Sequence, residues 1–404
     1  MVNILPLAMI DDLMAISKCG LPATEINVSI NTKIELKKLQ FHLPKENKKG
    51  KCHYLHVGKP NPTCPGMKVH GRQAELQQET TYLGDIIRSD GKNISNVKNR
   101  VSKGVGLVTE IMNILKNVSF GHRYFEIALI LREARLINGI LTNAEVWYSL
   151  GSKDISDLEQ IDRMFLKQVF CAANSVSNES LYLELGVIPI GIIIKARRIS
   201  YLHYLANLNH SSMLYRVFIT QWKYPDKGDW TEQVKSDLKY FGLDWSLNDF
   251  ASKSKNSFKR FLKKKTKEVA LDYLLKLKEG HSKMSNLNYT DLKMQSYLRN
   301  SNINVSEAQN VFRFRTRSAY FKANYKSKYS DQSCPLCQLH LDTQELSFKC
   351  EKINEELEIN EDYNNIFKKD VQSKLAKTLF EVTTIRNQYF AFQEGPSASA
   401  DAAK

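Results

Sequence analysis

The sequence contains no long apolar run, and this absence sets the first limits on its function. No stretch approaches the roughly 20 apolar residues that a membrane-spanning helix needs, and the start lacks a charged segment followed by an apolar one, the pattern of an export signal. The seven cysteines are odd in number and scattered over 404 residues, which favours thiols or metal ligands in a reducing compartment over a disulfide framework. The sequence therefore predicts a nuclear or cytoplasmic protein that is neither secreted nor held in a membrane.

Acidic residues are also scarce relative to basic ones. The chain has 58 lysines and arginines against 43 aspartates and glutamates, a formal net charge of +15. Such a charge attracts polyanions, of which nucleic acid is the commonest and an anionic membrane surface the less favoured alternative. No glycine loop of the Walker type is present, so the sequence does not predict a P-loop nucleotide hydrolase.

The stretch LAMIDDLMAI places Asp11 and Asp12 between two short apolar runs, 4–10 and 13–16. Runs of this length predict strands, with the acidic pair at a tight hairpin turn. An ordinary turn is one interpretation, because aspartate is favoured there. A metal site is the other, because adjacent carboxylates repel unless a cation such as Mg²⁺ lies between them, and paired acids that hold metal ions serve two-metal phosphoryl transfer.

Several stretches follow this pair in a specific order. They are KKLQFHLPKENKKGKCHYLHVGK, TTYLGDIIRSDGKN, NVKNRVSKGVGLVTEIMNILKN, LINGILTNAEVWY, ESLYLELGVIPIG and a final CPLC. In this order they resemble the C-terminal part of the reverse transcriptase of LINE-type non-LTR retrotransposons, beginning at the Asp-Asp box of the palm. The resemblance implies an RNA-directed DNA polymerase that uses Mg²⁺ and binds an RNA template and a DNA primer or target.

The resemblance also implies roles for individual residues. Met9 stands where the family has an aromatic residue before the acidic pair. The implied catalytic residues are Asp11 and Asp12, which are also the implied Mg²⁺ ligands, and Lys51; the implied primer-grip residues are Tyr82, Leu83 and Gly84.

Part of the family's active site is missing from this sequence. The family's first catalytic aspartate lies on a palm strand well upstream of the acidic pair, and only ten residues precede Asp11. Two-metal chemistry needs ligands from both strands, so we expect the chain alone to lack polymerase activity. The alternative is a non-catalytic nucleic-acid-binding or protein-interaction module derived from a retroelement.

The expected fold is α+β and predominantly helical. Apolar residues at helical spacing (Val97, Val101, Val108, Met112 and Leu115) predict an amphipathic thumb helix, and the segment 124–141 is apolar nearly all round, as in a buried helix. The expected divisions are a partial palm over 1–92, a thumb with following helices over 93–220, a basic helical linker module over 221–330, a zinc-knuckle-like element over 331–350, and an acidic segment with a disordered tail over 351–404.

Basic residues crowd three segments that are expected to be helical. In the segment that carries Lys259 to Lys265, the positive charge lies in the N-terminal half of the expected helix, where it opposes the helix dipole. Something other than helix stability therefore favours this charge. A phosphate-binding face and a nuclear-localisation patch both fit, and a solvated charge run is the alternative. In FRFRTR the three arginines cannot share one face, so we expect two of them to reach phosphates or bases. The candidate nucleic-acid ligands are Lys98, Arg100 and Lys103; Lys259, Arg260, Lys263, Lys264 and Lys265; and Arg313, Arg315 and Arg317.

The stretch CPLCQLHLDTQELSFKC is a candidate zinc site. Cys334 and Cys337 have the C-x-x-C spacing that lets two thiolates bind one Zn²⁺, and Cys350 supplies a third ligand. The resembling family ends in a knuckle of three cysteines and one histidine, and Leu346 occupies the position of that histidine. His340 is a candidate substitute, at a short separation from Cys337. The sequence predicts a weak zinc site, with free thiols as the alternative.

Overall fold

The computed structural model describes residues 5–9, 12–16, 53–55, 68–69, 72–73, 75–82, 84–325 and 329–394. Contacts divide the chain into two compact units. The first comprises 1–99, 147–154 and 228–230, and the second comprises 100–146, 155–227 and 231–404. The described residues are predominantly helical, with short strands confined to the first unit, which agrees with the predicted α+β, mostly helical class.

The strands of the first unit form four two-stranded sheets. Three pairs are antiparallel: Leu5–Met9 with Asp12–Ile16, Lys68–Val69 with Arg72–Gln73, and Glu79–Tyr82 with Asp85–Arg88. The fourth pair, His53–Leu55 with Glu75–Gln77, is parallel.

The first pair is the hairpin predicted around the acidic residues. Met9 and Asp12 are paired across it, so Asp12 begins the second strand rather than lying in the turn. Asp11 lies outside the described residues. The hairpin prediction is confirmed as backbone structure.

The hairpin Glu79–Tyr82 with Asp85–Arg88 turns at Gly84, whose φ of +84° is a left-handed conformation that glycine adopts at low cost. Arg88 fixes the hairpin to the start of the next helix, because its Nη1 donates to Oγ of Ser95 over 2.9 Å and its Nε and Nη2 donate to Asp90 over 3.0 and 2.9 Å. Nδ2 of Asn96 donates to Asp85 over 3.1 Å. The strands thus lead directly into helical structure.

Helices, joined by turns and loops, dominate the rest of the described chain. The longer helices are Ile94–Asn117, Tyr124–Leu131, Ser152–Phe170, Asn178–Leu185, Ile190–Ala206, Met213–Lys223, Trp230–Tyr240, Lys255–Glu279, Val305–Arg315 and Ser373–Glu394. Shorter α-helices are Asn138–Ile140, Leu247–Ala251, Gln344–Ser347 and Glu351–Glu356, and 3₁₀ turns are Gly121–Arg123, Ala144–Val146, Ser282–Met284, Ser296–Leu298, Lys322–Asn324 and Tyr363–Phe367. None of the helices in the described ranges is long and apolar enough to cross a membrane.

The helix Ile94–Asn117 confirms the predicted amphipathic stripe. Val97, Val108, Met112 and Leu115 are buried, and Val101 is half-buried.

The predicted buried helix 124–141 is interrupted. It runs from Tyr124 to Leu131, widens into a π-helical segment Arg132–Ile137, and continues as Asn138–Ile140. Arg132 explains the interruption: its guanidinium is buried and donates two hydrogen bonds of 2.7 Å to Asp162 and one of 3.2 Å to the carbonyl of Ile188. A buried charge needs such partners, and a π-bulge is one way to aim the side chain.

Two helix starts differ from the sequence-based expectation. From the sequence, Asp154 is predicted to cap a helix; Ser152–Phe170 begins two residues before it, and the Asp154 carboxylate accepts the Gly151 N–H over 2.9 Å from within the first turn. A helix is also predicted to begin after the capping pair Ser306 and Gln309; the helix Val305–Arg315 begins instead at the capping box of Asn304 and Glu307. The Asn304 side chain precedes the first helical residue and can accept an N–H that the helix leaves unpaired.

The last described element is the helix that follows the acidic stretch. The helix Ser373–Glu394 packs against Val305–Arg315 and buries Leu375, Ala376, Leu379 and Val382. Nδ2 of Asn310 donates to the carbonyl of Leu379 over 2.7 Å and to Oγ1 of Thr383 over 2.9 Å, which joins the two helices. An ordered helix therefore follows the acidic stretch, and the predicted disordered tail EGPSASADAAK lies, from residue 395 on, outside the described residues.

Candidate functional site

The C-x-x-C stretch forms a tight loop. The N–H of Cys334 donates to the carbonyl of His340 over 2.7 Å, and the N–H of Gln338 donates to the carbonyl of Cys334 over 2.9 Å. Gln338 has a φ of +58°, the left-handed conformation that lets the chain reverse here. The loop therefore brings Cys334 and Cys337 to one side of a single reversal.

Cys350 completes a cluster of three sulfurs. It lies directly before the helix Glu351–Glu356, and its Sγ is 3.9 Å from Sγ of Cys334. The sulfurs of Cys334, Cys337 and Cys350 all lie within 4.8 Å of one another. Two sulfurs bound tetrahedrally to one zinc at about 2.3 Å are separated by about 3.8 Å, so the spacing fits a common metal ion.

Apolar side chains surround the cluster on its inner side. Cys334 and Cys350 are buried with Ile353 and Val382, while Cys337 is half-buried. Burial favours a neutral thiol and raises the pKa of Cys350 to about 12. Burial alone would also raise the pKa of Cys337, but the backbone N–H groups of Leu339 and His340, with the neighbouring thiols, lower it below its usual value. The hydrogen bonds at Cys337 thus favour its thiolate form relative to an ordinary thiol.

The two candidates for the fourth ligand are placed differently from the sulfurs. His340 is exposed, and in the described part of the chain its ring nitrogens are not among the ligand atoms that cluster with the three cysteines. It contributes its backbone carbonyl to the loop instead. Leu346 is half-buried in the short helix Gln344–Ser347. The described cluster is a Cys₃ group.

A buried ion pair that sequence reasoning missed holds this loop in place. Asp342, two residues after His340, accepts hydrogen bonds of 2.7 and 2.9 Å from the guanidinium of Arg386 and one of 2.7 Å from the N–H of Lys322. The guanidinium of Arg386 lies 4.1 Å from the ring centroid of Phe321. Because the two partners are 44 positions apart, no local pattern could have indicated the pair.

The basic residues predicted in the Lys255–Glu279 helix, which we call the basic helix, lie mostly on its surface. Lys259, Arg260, Lys263 and Lys264 are exposed and Lys265 is half-buried. Lys264 lies 3.9 Å from Glu268. The opposite face is buried through Phe258, Leu262, Thr266, Ala270 and Leu274.

Several other predicted cations have partners within the fold. Arg315 is buried and ion-paired with Glu184 at 3.0 Å. Arg100 is buried, and its Nη1 lies 3.4 Å from the carbonyl of Gly139. These placements contradict the prediction that either residue contacts nucleic acid, because a buried guanidinium with internal partners does not reach a phosphate.

The remaining predicted cations differ in exposure. Burial lowers the pKa of Arg313, whose Nη2 donates to the carbonyl of Cys171 over 3.0 Å. Arg317 is partly exposed and lies 3.1 Å from Glu345. Lys98 and Lys103 are exposed on the helix Ile94–Asn117.

The residues assigned to the palm by the resemblance are only partly described. Tyr82 ends its strand half-buried, and Gly84 forms the turn that follows. Leu83, Lys51 and Asp11 lie outside the described residues, and Asp12 is described only as the start of a strand. The Mg²⁺ site therefore stays a prediction.

Comparison with known proteins found no matching family model, no matching curated protein and no matching solved structure.

Proposed function

We propose that this chain binds nucleic acid through the exposed side of the basic helix. The observation that carries the proposal is the state of Lys259, Arg260 and Lys263, which are exposed and form no ion pair with any carboxylate of the described residues. Since the apolar face of the same helix is already buried, these cations are not needed for packing. Their charge is available to a polyanion, as the net charge of +15 also favours.

We further propose that the chain derives from the C-terminal part of a LINE-type reverse transcriptase. The ordered motifs support this origin, and the hairpins around Asp12 and before Gly84 are the backbone shapes that the resemblance implies for the catalytic box and the primer grip. In that role the partners are an RNA template and a DNA primer or target, and Asp11 and Asp12 are the proposed Mg²⁺ ligands.

The proposed metal at the Cys₃ cluster is structural zinc. The spacing of the sulfurs and the lowered pKa of Cys337 support it, since zinc takes thiolates. Bound there, zinc would join the loop at Cys334 to the start of the helix at Cys350 and so stabilise the end of the second unit.

Fluorescence anisotropy with a labelled single-stranded RNA tests the binding proposal. We expect the triple variant K259Q/R260Q/K263Q to bind more weakly and to show a smaller salt dependence, by about 0.7 log units per lost contact for each log unit of salt. The matched control is K276Q/K352Q/K377Q, which removes the same charge at cations that lie near Asp272, Glu355 and Glu381. Equal losses in the two variants would show that only net charge matters and would overturn the proposal.

A further inference from the structure

A cavity of about 460 Å³ lies outside the Cys₃ cluster and is lined on two sides by separate segments of the second unit. One side is the segment 291–300, which includes the 3₁₀ turn Ser296–Leu298, and the other is the loop at Lys369. Among its lining residues are Lys293, Gln295, Ser296, Arg299, Asn300 and Lys369. We call it the 293–369 pocket.

The pocket carries an excess of positive charge. Its lining includes Lys293, Arg299 and Lys369 against the single acid Asp291. Lys293 lies 2.5 Å from Asp291, and Arg299 lies 3.9 Å from Glu126, which also lies 3.6 Å from Arg123. Lys369 is exposed and has no ion pair with a carboxylate in the described ranges. Three cations against one acid give the lining a formal charge of +2, of which Glu126, outside the lining, offsets a part.

Both sides of the pocket are joined by hydrogen bonds to one buried pair, Glu184 and Arg315. On one side, the N–H of Gln295 donates to the carbonyl of Glu184 over 3.0 Å, and the hydroxyl of Tyr297 donates to its carboxylate over 2.9 Å. On the other, Arg315, which is paired with Glu184, donates to the carbonyls of Ile366 and Lys368.

A direct hydrogen bond also joins the two sides of the pocket. Oγ of Ser296 donates to the carbonyl of Lys369 over 2.6 Å. The backbone that carries the cations is thus held in position before any ligand arrives. Preorganisation of this kind reduces the ordering cost of binding.

The basic helix carries a line of exposed lysines on one side. Lys259, Lys263 and Lys267 recur every fourth residue, so they share one side of the helix over about 12 Å. The pKa of Asp291 is lowered by the hydrogen bond from Lys293 and by the charges of Lys293, Lys369 and Lys267. The lysines of the helix and the cations of the pocket, Lys293, Arg299 and Lys369, are all exposed and belong to the same unit.

We propose that the 293–369 pocket holds a phosphate group of a nucleic-acid strand whose neighbouring phosphates follow Lys259, Lys263 and Lys267. This inference rests on the proposed nucleic-acid binding and assigns it a second contact region. The pocket's volume of about 460 Å³ suits one phosphate with its sugar, and we commit to a single strand as its ligand. Lys293 and Lys369 supply charge, and Gln295 and Asn300 supply neutral polar groups for the sugar–phosphate.

Binding of a labelled single-stranded oligouridylate to the full chain tests the inference. We expect K293Q/K369Q to weaken binding and to reduce the salt slope by about 1.4, two contacts at about 0.7 each. The matched control K276Q/K377Q should leave the slope unchanged. D291N removes the pocket's only acid and should strengthen binding. This opposite sign cannot come from unfolding, and circular dichroism of each variant checks the fold.

The outcomes separate this inference from the proposed function. If the wild type binds no strand, the proposed function and this inference both fail. If K259Q/R260Q/K263Q weakens binding but K293Q/K369Q and D291N match the wild type, the function stands and the pocket assignment is overturned. If K293Q/K369Q loses binding of inorganic phosphate but binds the strand with the affinity and salt slope of the wild type, the pocket is a site for free phosphate and its assignment to a strand is overturned.

Discussion

Arg315 Nε lies 3.0 Å from a carboxylate oxygen of Glu184, and both side chains are buried. The same carboxylate accepts hydrogen bonds from the hydroxyls of Tyr289 and Tyr297 over 2.6 and 2.9 Å. The acid thus has three partners drawn from distant parts of the second unit. Breaking a buried pair by removing one member costs about 3–5 kcal/mol, because the other charge is left uncompensated.

We therefore expect R315M to lower the free energy of unfolding by that amount in urea titrations. The double variant E184Q/R315M removes both charges and should recover a large part of the loss. If the loss of unfolding free energy in E184Q/R315M equals the sum of the losses in E184Q and R315M, the two residues act independently. That result would contradict the ion pair seen in the structure.

Gly186 provides a test of close packing beside this pair. It ends the helix Asn178–Leu185 with a φ of +66°, and an added Cβ would lie 2.2 Å from the backbone carbonyl carbon of Lys293. Gly242 is the matched control, because its φ is +63° but a Cβ there would meet nothing within 4 Å. We expect G242A to cost about 1–2 kcal/mol from the left-handed backbone alone, and G186A to cost clearly more. Equal losses in thermal unfolding would show that the segment at Lys293 moves aside freely.

Met112 and Arg315 show which buried side chains can be predicted from the sequence and which cannot. Met112 belongs to an apolar stripe whose spacing is a local property, so the helix and its buried side follow from the sequence. Arg315 lies among basic and aromatic residues, a pattern typical of nucleic-acid ligands, but its partner Glu184 is 131 positions away. Only tertiary packing decides which charge is buried with which acid.

The candidate metal site also has one part that the sequence predicts and one part that it does not. The C-x-x-C spacing and the later Cys350 predict the cluster, because two ligands in one loop are a local feature. The pair Asp342 and Arg386, which positions that loop, involves a residue of the last described helix, in a segment whose sequence predicted an acidic stretch and a tail. Its partners are visible only in the folded chain.

Asp331 makes the loop before Cys334 sensitive to acid. Hydrogen bonds from the hydroxyl and the N–H of Ser333, with one from Lys322, lower the pKa of Asp331 from 3.8 to about 2. A lowered pKa in the folded state means that the carboxylate's contribution to stability is present above pH 4 and is lost as the pH falls towards 2.

We expect an NMR titration of the Asp331 carboxyl to give a midpoint near that value, and S333A to raise it. S330A, at an exposed neighbouring serine, is the control and should leave the midpoint unchanged. An unshifted Asp331 in the wild type would contradict the hydrogen-bonded loop.

Zinc affinity tests the Cys₃ cluster and the identity of its fourth ligand. The resembling family has a histidine at the position of Leu346, so L346H restores that histidine in a chain whose three sulfurs already lie within 4.8 Å of one another. We expect L346H to raise zinc affinity at least tenfold, which corresponds to about 1.4 kcal/mol, in competition with a chromophoric chelator. In that variant H340A should cost little zinc affinity, because His340 is exposed and the loop uses its backbone carbonyl.

C350S is the control, since removal of the third thiolate should weaken zinc binding in either background. Wild-type affinity equal to that of L346H, and lost in H340A, would identify His340 as the fourth ligand and refute the assignment of position 346.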